Sequence, residues 1–479
     1  MLTAGWAVGE THVGRSNAKL IVVANRLPVR RVGEGSKSAW AISPGGLVTA
    51  LAPILRERSG TWVGWAGEAA SEGDSAIRPF KHEGIQNRPI AVSSRDTEAF
   101  YRGFSNRTLW PLYHDAVRPP EYHRRWWWPY VGVNRRFAEA AASRASSGDL
   151  IWVHDYQLQL APQMIREREP GAKIGFFLHI PFPPEELFGQ IPWRQQILEG
   201  LLGSDVVGFQ TKLSAQNFSR ACRRFTSATG SDTRLKFQGR TVQVRSFPIS
   251  IDTGAVEAKA GSVRSIEIAA MLRERVGDGR KIVLGVDRLD YTKGIDIRLR
   301  AFEELLGRGV YSVDDVVFVQ VAVPSREAVE EYVEIRERVE GVVGRINGEH
   351  GDVGRAAVHY LYRSLPFDEL VGYYRAADVC MVTPYRDGMN LVAKEYVAAR
   401  TDDSGVLVLS EFAGAAEELR SGAMLVNPHD IDGMAAALHS ALAAPDADVK
   451  RRMKTMRRTV RRHDVFAWAE GFLEVLAEA

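Results

Sequence analysis

Cysteine is nearly missing from this chain: there are two in 479 residues, Cys222 and Cys380, each set in an apolar stretch. That excludes a disulfide-stapled secreted scaffold and a thiolate metal cluster, and it suits a reducing compartment. An excess of one charge is missing too. Sixty-two basic residues face 59 acidic ones, a net +3 that is too small for a general polyanion binder, so no nucleic-acid partner is expected. No apolar run approaches the roughly 18–20 residues that cross a bilayer; the nearest are strand-length pieces such as Ile174–Phe177, and no membrane partner is expected. Residues 1–16 hold no basic start followed by an apolar block, so they do not read as a secretion signal. The chain is expected in the cytoplasm, with residues 1–17 a loose tail. Internal repeats, low-complexity tracts and zinc-like His/Cys/Asp spacings are absent, and no metal site is expected.

What is present is the make-up of an ordinary globular protein. With 45% apolar, 25% charged and 9% aromatic residues, disorder, collagen and coiled coil are excluded. Short β-branched runs at Leu20–Val23, Leu150–Val153, Lys173–Leu178, Val206–Phe209, Ile282–Val286, Val316–Val323, Val379–Val382 and Val406–Leu409 read as buried strands. Between them, Leu47–Arg58, Gln157–Glu169, Arg326–Val343 and Gly433–Leu442 carry the 3.6-residue spacing of helices laid on a sheet. The class is α/β with parallel sheets. The alternation breaks at Ser246–Gly254 and restarts at Lys281, which puts a first domain at 1–248, a second at 249–462 and a docking helix at 463–479. Two doubly wound sheets bind ligands at the carboxyl ends of their strands, so a pair of them would enclose a cleft.

Two features invite other readings. The basic cluster Arg451, Arg452, Lys454, Arg457, Arg458, Arg461 and Arg462 hints at nucleic acid, but Met453, Met456 and Val460 recur inside it at helical spacing, so a surface helix is the better reading. Trp126, Trp127 and Trp128 read as structural, whereas Trp110 is open between core and a sugar-stacking pocket.

The strand ends carry the chemistry. Arg26 follows the first strand in Ala24-Asn-Arg-Leu-Pro28, suited to phosphate, although one Arg alone is weak evidence. Gly45 and Gly46 precede a helix and let backbone amides approach a diphosphate or hydroxyl; a plain helix-entry turn is the alternative. Asp155 and His179 each follow an apolar strand and are expected to face the cleft, as reacting groups or as structural hydrogen-bonders. Arg288 and Lys293 share the loop Asp287-Arg-Leu-Asp-Tyr-Thr-Lys-Gly294, where two cations could neutralise a departing nucleoside diphosphate. A surface salt bridge is the competing reading. Asp387 and Glu395, in the stretch from Val382 to Tyr396, can accept hydrogen bonds from sugar hydroxyls or compensate a helix dipole.

Taken together, the strings ANRLP, SPGGL, GFSN-x-TLWPLYH, HDYQLQL, FFLHIPFPP, RLDYTKG, PSRE and RDGMNLVAKEY resemble the trehalose-6-phosphate synthase family of retaining glycosyltransferases, from about Lys19 to the final helix. The resemblance implies the GT-B architecture, two Rossmann-like domains facing a central cleft. It implies transfer of glucose from UDP-glucose or GDP-glucose to glucose 6-phosphate, giving α,α-trehalose 6-phosphate by a front-face route, with no cofactor. By position it implies that Arg26, Tyr101, Asp155 and Arg326 hold the acceptor, with Trp110 and His179 beside the reacting anomeric centre. Gly45, Gly46, Arg288, Lys293, Leu365, Asp387 and the run Gly388, Met389, Asn390, Leu391, Val392, Ala393, Lys394 and Glu395 are implied at the donor. The surroundings of Leu365 depart from the family pattern. Homo-oligomerisation and the donor base are left open.

Three rivals are weighed. A pseudo-glycosyltransferase that couples cyclitols would refuse glucose 6-phosphate as acceptor. A silent sugar-phosphate sensor would bind without turnover and has no need of both Arg288 and Lys293. A nicotinamide dehydrogenase would need Gly-x-Gly-x-x-Gly after the first strand, and that is absent.

Overall fold

The computed structural model describes residues 18–32, 39–43, 46–68, 77–277, 279–325 and 330–479. The expected tail at 1–17, Gly45 and Arg326 lie outside the described residues. Seven parallel strands form the body of the first sheet: β1 (Leu20–Arg26), β2 (Thr61–Trp65), β3 (Ile85–Ile90), β4 (Leu150–His154), β5 (Lys173–Leu178), β6 (Val206–Phe209) and β7 (Arg240–Ser246). Their spatial order is β7-β6-β5-β4-β1-β2-β3, with short antiparallel strands closing both edges. The second sheet is parallel throughout and built from β8 (Lys281–Arg288), β9 (Val316–Val323), β10 (Val358–Tyr362), β11 (Val379–Val382), β12 (Val406–Ser410) and β13 (Met424–Val426). Its order is β10-β9-β8-β11-β12-β13. Both sheets therefore reverse direction once, between β1 and β4 and between β8 and β11, and an open α/β sheet binds ligands at such a crevice.

All eight strands expected from apolar runs are present, and β2, β3, β7, β10 and β13 are additional. Three of the additional strands are mixed in polarity, with Gln86 and Arg88 in β3, Gln243 in β7 and His359 in β10, because strands toward a sheet's margin bury less than central ones; β2 is interior but broken by Gly64, and β13 is only three residues long. Helix α1 (Gly46–Glu57) matches its expected span. The helix expected at Gln157–Glu169 is instead a short 3-10 turn at Tyr156–Leu158 followed by Ala161–Arg168. Pro162 explains the restart, since proline fits a first helical turn and not the interior. The helix expected to end at Val343 runs on, as Glu330–His350.

Helix α2 (Arg124–Ala142) corrects the tryptophan reading. Trp126 and Trp127 are buried, and Trp127 stacks on Trp193 at 5.0 Å, but Trp128 is 73% exposed. Three consecutive helical positions span about 200°, so they cannot all face one core. The basic cluster lies on α3 (Asp446–Arg462), with Met453, Met456 and Val460 buried beneath it. Its arginines are largely neutralised in place: Arg457 pairs with Asp403 and Glu257, Arg461 with Glu257 and Arg452 with Asp448.

The chain then crosses back. In α4 (Val465–Glu478), Phe472 stacks on Trp152 of β4 at 4.2 Å, and Trp468 packs against Trp152 and Phe177. The closing helix of the chain thus covers the first sheet. Cys222 and Cys380 are both free and buried. Among the described residues, no helix is long and apolar enough to cross a membrane.

Candidate active site

The carboxyl ends of the two sheets face each other across a cavity of about 630 Å³. Arg26, Tyr101, Trp110, Asp155 and His179 line it from the first half, and Arg288, Lys293 and Asp387 from the second. Arg26 ends β1 and Asp155 follows β4, the two strands flanking the first crevice; Arg288 ends β8 and Asp387 follows β11, flanking the second. Topology places each pair at its own crevice, and the facing of the two halves brings the pairs into one cavity. Gly388 marks a close approach of the halves, since a Cβ there would come within 2.2 Å of the His179 carbonyl. At the rim, Arg118–Glu334 (3.0 Å) and Arg386–Asp115 (3.3 Å) join one half to the other.

On the first wall, the Arg26 guanidinium lies 4.0 Å over Trp65 and 5.5 Å from the Tyr101 ring, and no described carboxylate lies within ion-pair distance of it. Tyr101 rides a π-helix, Thr97–Leu109, that runs into Trp110; such helices are rare and concentrate at functional sites. Trp110 is 4% exposed and still lines the cavity, so it serves core and pocket together. Asp155 has φ 75° and ψ 167°, a region almost reserved for glycine. Its N–H donates to the Phe177 carbonyl at 2.8 Å and its carboxylate accepts the His179 N–H at 3.2 Å. These bonds hold the strained backbone and lock β4 to the exit of β5.

His179 Nε2 lies 3.2 Å from His154 Nδ1, so one of the pair donates and the other accepts. Burial holds His179 at about 3, and burial together with His179 keeps His154 well below the usual imidazole range. Burial, followed by the field of Lys293, brings His114 down to about 4, and its Nδ1 lies 2.7 Å from the Trp110 carbonyl. All three rings are neutral at pH 7. The unfolded chain binds protons near 6.5 that the native rings refuse, so these groups contribute stability above that pH which is lost progressively as the pH falls toward 4. The melting temperature is expected to fall between pH 6.5 and 5, more steeply in the native protein than in His114→Gln. Equal slopes would contradict the assignment.

On the second wall, Arg288 is exposed and has no described carboxylate within ion-pair distance. Lys293 is 8% exposed and donates to Asp387 at 2.5 Å, and Asn390 Nδ2 adds a second bond to the same oxygen at 3.1 Å. Burial alone would raise the Asp387 carboxyl, but the Lys293 pair outweighs it and leaves the group below its ordinary range. Behind the loop, Arg298 is fully buried: it donates to Asp287 at 2.7 Å, to Thr383 Oγ1 at 3.0 Å and to the Lys293 carbonyl at 3.1 Å.

The remaining expected donor residues occupy the start of α5 (Leu391–Ala399) and its approach. Asn390 takes φ 73° immediately before it. Glu395 accepts the Tyr374 hydroxyl at 2.8 Å, and burial raises its carboxyl. Leu365 is half-buried in the loop after β10, and Leu391 and Val392 are partly buried. Met389 and Ala393 are buried, 3% and 0% exposed. Lys394 follows Ala393 on α5. Its side chain is 1% exposed, pairs with Glu418 at 2.5 Å and donates to the Ile249 carbonyl at 2.8 Å, so it turns into the protein and ties α5 to the segment between the sheets. Only its backbone remains for a ligand. Among the described residues, no group of three or more His, Cys, Asp or Glu could hold a metal. His114, His154, Asp287 and Arg298 were not singled out by sequence; the places of the first three within or next to the family-like strings pointed toward them, and no local signal pointed to Arg298.

Residues 18–478 match glycosyltransferase family 20. A trehalose-6-phosphate synthase from Mycobacterium sp. (strain KMS) is 53% identical over 481 residues, covering 98% of this chain and 97% of its own length. A solved trehalose-6-phosphate structure from E. coli, bound with UDP-2-fluoro glucose, is 35% identical at a TM-score of 0.89, covering 96% of this chain and 99% of that one. A UDP-forming α,α-trehalose-phosphate synthase from Burkholderia xenovorans, in complex with glucose-6-phosphate, is 36% identical at a TM-score of 0.88, covering 96% and 100%.

Proposed function

The chain belongs to glycosyltransferase family 20, with the two-Rossmann GT-B architecture, and from that premise we propose that it moves glucose from UDP-glucose to glucose 6-phosphate, giving α,α-trehalose 6-phosphate and UDP. One observation carries the reading. Arg26 and Arg288 stand on opposite walls of a single cavity without described carboxylate partners, leaving a cation for each phosphorylated substrate with Asp155 and His179 in the same cavity. The uridine donor is supported by the E. coli relative's ligand, and the acceptor by that of the Burkholderia relative.

In this reading Arg26, joined by Arg326, holds the acceptor phosphate, while Tyr101 and Asp155 take its hydroxyls. The amides at Gly45 and Gly46 and the side chains of Arg288 and Lys293 hold the donor diphosphate. Asp387, the start of α5 and Glu395 take the sugar and ribose hydroxyls, and Leu365 touches the base. The bond from the glucosyl anomeric carbon to the diphosphate oxygen breaks, and a bond to the acceptor's anomeric oxygen forms on the same face. The acceptor's hydroxyl proton passes to the departing diphosphate oxygen. Neutral His179, steadied by His154, orients the donor sugar without adding positive charge next to an oxocarbenium-like centre. Arg288 and Lys293 stabilise charge as it grows on the diphosphate. No metal step is used. Closure across the cleft excludes water, which favours transfer over hydrolysis.

The test is product analysis with each donor and acceptor. UDP-glucose with glucose 6-phosphate is expected to yield trehalose 6-phosphate. Replacing the acceptor by glucose should lower kcat/KM by about 100-fold or more, because two charge-assisted hydrogen bonds at about 1.5–3 kcal/mol each are lost. GDP-glucose serves as the comparison donor. Turnover with GDP-glucose alone would overturn the uridine assignment, and none with either donor would overturn the reaction.

A further inference from the structure

A second cavity, of about 550 Å³, opens on the outer side of the π-helix that carries Tyr101, away from the cleft. Arg95, Arg102, Arg107 and Arg125 converge on it, against one carboxylate, Glu98. Most of the basic residues of α3 have acidic partners, whereas here two of the four arginines do. Arg102 is paired with Glu98 at 2.6 Å, and Arg107 reaches Glu331 and Glu121 only at 3.6 and 4.0 Å. Among the described residues, Arg95 and Arg125 have no carboxylate within ion-pair distance, and both are exposed. Four guanidinium groups around one concavity repel one another, and the planar fork of each matches phosphate oxygens.

The floor is apolar and shaped. Trp126 is buried with its indole flat against the backbone at Gly103, where a Cβ would come within 2.6 Å of the ring, so only glycine lets the ring lie there. The Arg125 guanidinium stands 5.9 Å from the same ring. A ring on the floor and cations around the rim, in a volume within the ~300–1,000 Å³ of small-molecule sites, suit a phosphorylated sugar.

We propose that this groove is a second binding site, for a small phosphorylated sugar, distinct from the cleft. Its walls include Arg102 of the π-helix, adjacent to Tyr101, so an occupant braces the helix that lines the cleft from the other side. The site does not depend on which reaction the cleft performs, and the experiment reads binding alone.

Calorimetry on the full chain carrying Arg26→Ala, Arg288→Ala and Arg326→Ala, which removes the three arginines assigned to the cleft's phosphates, uses inorganic pyrophosphate and glucose 1,6-bisphosphate as probes. One saturable site is expected for the bisphosphate, tighter than for pyrophosphate because of the ring. Adding Arg95→Glu and Arg125→Glu should weaken it at least tenfold. Absence of saturable binding, or binding indifferent to the charge reversals, overturns the proposal, and equal affinity for the two probes overturns the sugar part of it. A soak of wild-type crystals in tungstate needs no variant to fold: an anomalous peak among the four arginines supports the site, and a groove without one overturns it.

Discussion

Arg288→Ala is expected to lower kcat by on the order of 10²–10³ while leaving the melting temperature unchanged. The two halves of that expectation come from different facts. Arg288 stands exposed at the end of β8 with no described carboxylate within ion-pair distance, so its removal orphans no buried group and opens no cavity. Its guanidinium faces the same cavity as His179 and Asp155, where charge grows on the departing diphosphate, so the loss falls on the transition state. Lys293→Ala would be a poorer probe. Lys293 is buried and holds Asp387 at 2.5 Å, so its removal leaves a buried carboxylate unpaired and mixes stability with chemistry. Steady-state kinetics with UDP-glucose and glucose 6-phosphate, beside a thermal melt, separate the two. The acceptor KM should stay within about twofold, since Arg288 is on the donor wall. Unchanged kcat, or a collapse of the acceptor KM alone, would remove Arg288 from its assigned role.

The central strands were legible because each is a short, continuous apolar run, and the strand-end position of Arg26, Asp155, His179 and Arg288 followed from that. What the sequence could not show is which polar side chains turn inward. Lys394 and Glu395 are adjacent on α5, yet Lys394 is tied to Glu418 and Ile249 while Glu395 takes Tyr374. The difference is a 100° step around a helix whose axis is fixed only by packing. Trp128 misled for the same reason, as aromatic composition does not report helical phase. The His154–His179 contact joins β4 to the exit of β5 and becomes visible only when register is set; Val153 pairs with Phe176 and His154 with Phe177. The strands β3, β7 and β10 were missed because their polarity is mixed, and β13 because it is only three residues long. Arg298 lies outside the eight quoted strings altogether. It is four residues beyond Gly294, on a helix where an arginine would ordinarily be read as solvated, and nothing in local sequence announces a fully buried cation.

That buried cation supports the second large prediction. Arg298→Met should destabilise the protein by about 3–5 kcal/mol in chemical denaturation, the range for leaving one member of a buried ion pair alone. Arg298 and Asp287 are 0% and 2% exposed at the side chain and 2.7 Å apart, and burial already raises the Asp287 carboxyl against the pull of Arg298. With the guanidinium gone, Asp287 must be buried charged and unpaired or take up a proton. The double variant Arg298→Met with Asp287→Leu removes both charges and should recover most of the lost stability. Activity should not follow. Arg298 also donates to the Lys293 carbonyl at 3.1 Å and to Thr383 at 3.0 Å, bonds that fix the loop presenting Lys293 to the cleft. Methionine supplies neither bond in the single or the double variant, and Arg298→Lys cannot supply the planar fork. The double variant is therefore expected to melt close to wild type while kcat stays at least tenfold down. Recovery of activity along with stability would show that the buried pair serves only to hold the sheet together.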